Sequence, residues 1–162
     1  MRFEITDIEP MGAVRTTRKM AGKTESGQRY AAYKDLIAWQ IKETIKEPLA
    51  QAIGVPSITF YMPIPKSKAG KVQPGQLHTV KPDIDNLIKG LFDAANGIAW
   101  IDDNRVAELG KVRKVYSNQP GITFEVEEIG GLVYGQAEQP KQTQKTKQRA
   151  TRKEKSRARR RI

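Results

Sequence analysis

The chain has 162 residues, enough to bury one core and too few for two, and it is 38% hydrophobic and 29% charged. It contains no cysteine, which excludes a disulfide framework, thiolate metal sites and thiol nucleophiles together. The net charge is +11, but residues 136–162 hold eleven Lys or Arg against two Glu and so carry +9 of it; basicity is mainly a tail property, and it predicts attraction to polyanions.

At the N-terminus MRFEITDIEP alternates like a short strand and lacks the apolar run of a signal peptide. No window approaches the roughly 18 apolar residues that span a bilayer, so a soluble cytoplasmic protein with no membrane partner is expected. Pro10 and Gly12 end the strand, and AVRTTRKMAGKTESGQ follows as an exposed basic loop holding Arg15, Arg18, Lys19 and Lys23. From about 28 to 47, Tyr30, Tyr33, Ile37, Ile41 and Ile45 recur at steps of three and four, predicting an amphipathic helix. SITFYMPI alternates strictly and predicts a second strand. Residues 65–82, PKSKAGKVQPGQLHTVKP, form a connection of a length that is usually either functional or disordered. A second helix, DIDNLIKGLFDAANG, carries Ile84, Leu87, Ile88, Leu91, Phe92 and Ala95 on one stripe, with Asp85, Lys89, Asp93 and Asn96 opposite. Two further strands are expected at about 108–116 and 122–128, and the turn signal SNQPG between them predicts a hairpin.

The expected class is therefore α+β: a mixed β-sheet with two main helices in the order β-α-β-α-β-β. Residues 1–131 form the domain. Residues 132–162 have almost nothing to bury and form a basic, disordered tail.

The opening of the second helix carries two acids one residue apart, Asp83 and Asp85. Helix capping and an i, i+4 pair between Asp85 and Lys89 would account for them as structure. In context they suggest chemistry, because a lysine-rich loop with Lys66, Lys68, Lys71 and Lys81 leads to them and a second acid pair, Asp102 and Asp103, follows. If the chain turns back beside the helix after Gly97, Asp103 comes near Asp83 and Asp85. Three gathered carboxylates demand a cation, and oxygen-only ligands select a hard one such as Mg²⁺. Of the remaining candidates, His78 reads as a solvated loop histidine, and Trp39 and Trp100 as packing residues. Neither a nucleophile elbow nor a phosphate-binding glycine loop is present.

The run DIDNLIKGLFDAANGIAWIDDNRV, residues 83–106, resembles the RusA family of Holliday-junction resolvases, whose pattern is D-x-D-N-x-x-K, a helix with a further Asp, and then D-D. Asp83, Asp85, Asn86, Lys89, Asp93 and the pair at 102 and 103 fall in register with it. The resemblance implies that Asp83, Asp85 and Asp103 bind the metal, Mg²⁺ or Mn²⁺, and that Lys89 is a catalytic cation; Asp102 and Asp103 remain nearly interchangeable. It further implies a homodimer that cleaves branched DNA, four-way junctions in particular, in recombination and repair. Arg15, Arg18, Lys19, Lys66, Lys68, Lys71 and Lys81 would hold the DNA backbone. A non-catalytic nucleic-acid-binding protein and a metal-dependent nuclease with another target are the alternatives.

Overall fold

Phe3 and Ile5 alternate with Arg2 and Glu4, and this segment is the first strand, β1 (Arg2–Thr6). The structure, a computed structural model, describes residues 1–14 and 24–129. Most of the expected basic loop, with Arg15, Arg18 and Lys19, and the expected tail lie outside the described residues.

Helix α1 (Glu25–Thr44) starts one turn earlier than its apolar stripe predicts because the Thr24 hydroxyl accepts from the Gly27 amide at 3.1 Å. Its stripe of Tyr30, Tyr33, Ile37 and Ile41 is buried, as expected. β2 (Ile53–Pro63) begins five residues before Ile58 and runs through Pro56. A proline lacks the N–H that a central strand needs, and Pro56 is tolerated because it falls at a break in the pairing. β4 (Gly121–Glu125) covers Ile58–Tyr61 and β5 (Glu127–Glu128) covers Ile53–Gly54, leaving Pro56 opposite neither. Helix α2 (Ile84–Ala95) and β3 (Val106–Ser117) complete the chain order β-α-β-α-β-β, with β5 as a short final addition.

The sheet order is β1-β4-β2-β3, with β5 also paired to β2. β2 and β3 run parallel, joined by the crossover through α2, and the other pairs are antiparallel, so the sheet is mixed as expected. The expected β3–β4 hairpin does not form: β4 lies between β1 and β2, while β3 pairs on the far side of β2. Burial explains the exchange. Ile122 and Phe124 are almost completely buried, Phe124 stacks on Phe3 at 4.7 Å, and an apolar strand gains most in the middle of a sheet. The turn signal marks a chain reversal and says nothing about which strand receives it.

Ile58, Phe60 and Met62 of β2 join Ile37, Ile41, Leu87 and Leu91 of the helices in one core. Both helices therefore pack on one face of the sheet. Arg2, Thr59, Tyr61, Arg113 and Thr123 line an open polar depression on the other. Among the described residues no helix is long and apolar enough to cross a membrane.

Candidate active site

Burial of Leu87, Gly90, Leu91, Ala94 and Ala95 fixes the rotation of α2 and leaves Asp85, Lys89 and Asp93 exposed on the opposite side. The core stripe begins one turn later than expected, since Ile84 remains 36% exposed. The helix is held along a second line by the N-terminal segment. The Ala13 amide donates to the Asn86 carbonyl at 3.0 Å, and a Cβ built on Gly90 would lie 2.7 Å from the Met11 carbonyl oxygen. Tyr30 of α1 donates its hydroxyl to Asp93 at 2.9 Å. Burial, then Asp93, pushes the Tyr30 pKa up, so the hydroxyl keeps its proton.

The two local roles expected of the paired acids, a side-chain cap and an ion pair, are both unfilled among the described residues. Asp83 occupies the N-cap position, its carbonyl accepting from Leu87, but its carboxylate makes no capping bond. Asp85 and Lys89 form no ion pair either; among the described residues the salt bridge present is Arg2–Glu4. Two exposed carboxylates thus stand at the positive end of a helix, where their charge suits the dipole, with neither making a capping bond or an ion pair among the described residues. That donor set fits a hard cation. Mg²⁺ takes one or two protein carboxylates and completes its shell with water and phosphate oxygen.

The 65–82 connection is ordered by β3. Gly75, Gln76 and His78 exchange backbone hydrogen bonds with Lys114 and Tyr116. Lys68 donates to the Tyr116 hydroxyl at 2.8 Å and is thereby partly occupied, whereas Lys66, Lys71 and Lys81 are exposed. His78 departs from its expected solvated state: it is 7% exposed, its ring 4.7 Å from that of Tyr116. Burial, followed by the charges of Lys114 and Lys68, lowers its pKa. Lys114 donates to the carbonyls of Val80 and Pro82, the latter immediately before Asp83. Sequence reasoning passed over Lys114, because an alternating strand gives no sign that one of its lysines reaches a loop more than thirty residues earlier.

Of the two tryptophans, Trp100 is fully buried as expected, edge-on to Phe92, while Trp39 is 57% exposed and does not pack in the core. Asp102 and Asp103 also differ. The Asp102 carboxylate accepts from the Asn104 amide at 3.1 Å, capping a 3₁₀ turn, while Asp103 is exposed and free of partners among the described residues.

The expected convergence within one chain does not occur. Asn96 bridges to Trp100, so residues 100–103 leave from the C-terminal end of α2, about 20 Å from Asp83 at 1.5 Å per residue. The strands agree: Asp103 precedes Val106, which pairs with Ile53, whereas Lys114, beside Pro82, is eight residues on, about 26 Å along an extended strand. Among the described residues no group of three or more acids or histidines is placed to hold a metal. α2 runs antiparallel to β2 and β3, and that direction puts its two acid-bearing ends at opposite ends of the sheet.

Compared with known proteins, residues 7–127 match the pattern of the family described as Endodeoxyribonuclease RusA. The Bacillus subtilis (strain 168) protein named "Uncharacterized protein YqaN" is 33% identical over 129 residues, covering 74% of this chain and 87% of that one.

Proposed function

The chain belongs to the RusA endodeoxyribonuclease family, and from that membership we propose that it is a Mg²⁺-dependent nuclease that nicks four-way DNA junctions as a homodimer, in recombination and repair in the cytoplasm. The observation that carries this is the head of α2, where Asp83 and Asp85 are exposed and, among the described residues, neither makes an ion pair or a side-chain capping bond. Family membership alone supports branched DNA as substrate; the geometry adds which groups would act.

Asp83 and Asp85 would hold the cation, with Mn²⁺ an acceptable substitute. A metal so held supplies charge neutralisation at a phosphodiester and makes bound water easier to deprotonate. Lys89 lies one turn beyond Asp85 on the same flank, about 6 Å along the axis, and can stabilise charge on a non-bridging or leaving oxygen. Lys66, Lys71 and Lys81 border this end and suit backbone phosphates of a DNA arm. Asp103 is too far away in its own chain to join Asp83 and Asp85. If it is the third carboxylate it comes from a second copy, and a two-fold dimer would set two such composite sites on a nearly two-fold junction.

Asp85→Asn tests the reading. The variant should bind a synthetic four-way junction at least as well as wild type and lose about two or more orders of magnitude in single-turnover cleavage with Mg²⁺. Equal cleavage by the two proteins would show that the acids only begin a helix, and would favour a protein that binds nucleic acid without cutting it.

A further inference from the structure

Lys114 occupies a position that its sequence neighbours do not explain. In the parallel ladder it pairs with Phe60, which is fully buried, and it stands between Val112 and the buried Tyr116 on the side of β3 that faces the helices. Residues paired across a sheet share a face, so an apolar side chain is expected at 114. A lysine there must run its stem along the packed surface and find acceptors for its head.

The acceptors are specific. The ammonium donates to the Val80 carbonyl at 2.6 Å and to the Pro82 carbonyl, closing the loop around itself across Lys81. Charge-assisted bonds of this kind are about twice as strong as neutral ones. The loop is already aligned by the His78 amide donating to the Lys114 carbonyl at 2.9 Å, so residue 114 grips it through both backbone and side chain. The next residue after Pro82 is Asp83, whose carboxylate makes no hydrogen bond among the described residues. The direction in which it leaves the helix is therefore set by the backbone path through 80–82.

We propose that Lys114 is a positioning residue for the active site: its ammonium, held between the Val80 and Pro82 carbonyls, fixes the approach to α2 and so aims Asp83. This rests on the metal-binding role given to Asp83 above. Lys114 does not touch substrate in this role, since two of its three protons point into the loop.

The experiment compares wild type with Lys114→Met, which keeps the stem and removes the charge, and with Lys114→Arg, which keeps a cation on a similar stem. Hydrogen exchange of the 79–86 amides in the free protein is the first readout. It should accelerate strongly in Lys114→Met and less in Lys114→Arg, with the amides of β1 and β4 unchanged. The second readout is the Mg²⁺ concentration for half-maximal cleavage of a four-way junction, which should rise about tenfold or more in Lys114→Met, in line with the loss of other groups that orient metal ligands. Junction affinity in Ca²⁺ should stay near that of wild type. Unchanged exchange and unchanged Mg²⁺ dependence in both variants would overturn the proposal. A weakened affinity with a shallower salt dependence would overturn it too, by making Lys114 a DNA contact. If Lys114→Met does not fold, Lys114→Arg carries the comparison alone. If wild type fails to cleave, the nuclease reading falls while the exchange measurement still decides whether Lys114 orders the loop.

Discussion

His78 shows how one side chain inverts the expectation for its type. A lone histidine in a polar loop is ordinarily wet, but here the pairing of 75–78 with β3 lays the ring against Tyr116 and leaves its Nδ1 buried without a partner among the described residues. Desolvation is the largest cause of its lowered pKa, and the charges of Lys114 and Lys68 act in the same direction. The unfolded chain therefore takes up a proton near pH 6.5 more readily than the folded one. Stability from the neutral ring is complete above that pH and is lost as pH falls toward the lower folded value. Thermal unfolding at pH 7.5 and pH 5 should show wild type losing more stability on acidification than His78→Gln. Equal losses would assign the acid sensitivity to other groups. None of this was visible in the sequence, where the residues that bury the ring lie more than thirty positions later.

At the scale of elements, what could be read from the chain was what depends on neighbours along it. Period-two alternation marked β1 and the body of β2, and steps of three and four marked both helices. The Thr24 cap explains the early start of α1, and the Asp-x-Asp spacing at the head of α2 was visible because two acids so placed are conspicuous in any context. What could not be read was partnership: β4 enters between β1 and β2, and β3 passes to the outer edge, because the burial of Ile122 and Phe124 decides the order while the turn sequence decides only the reversal. The β2–β3 contact also depends on a glycine that alternation would dismiss. A Cβ at Gly110 would run into the Pro56 carbonyl, main chain that no rotamer change can clear. Gly110→Ala should destabilise the fold by about 1–3 kcal/mol, the usual cost of forced overpacking. Urea denaturation would measure it, and a shift of under about 0.5 kcal/mol, the range of ordinary surface substitutions, would mean that the strands separate there without strain.

For the whole molecule the governing fact is the antiparallel course of α2 against β2 and β3, which places Asp83 and Asp85 at one end of the sheet and Asp103 at the other. The sequence motif presented these acids as one constellation because they are close in number, and the return path after Gly97 was expected to make them close in space. A helix of twelve residues carries the chain about 18 Å before it can turn, and Asp103 lies in that turn, before β3 has carried the chain back toward the head of the helix. A composite site in a two-fold dimer makes a prediction that a site contained in one chain does not. Asp85→Asn and Asp103→Asn should each be inactive alone. In a mixed dimer, one site receives both damaged ends, and the other receives Asp83 and Asp85 from the Asp103→Asn chain together with Asp103 from the Asp85→Asn chain. Mixing the purified variants, with subunit exchange allowed, should therefore restore cleavage of a four-way junction, and the restored activity should be mostly single nicks, since each mixed dimer has one intact site. If each chain supplied its own three carboxylates, both sites of every mixed dimer would remain defective. A mixture as inactive as its components, with exchange confirmed by differently sized tags, would exclude the shared site.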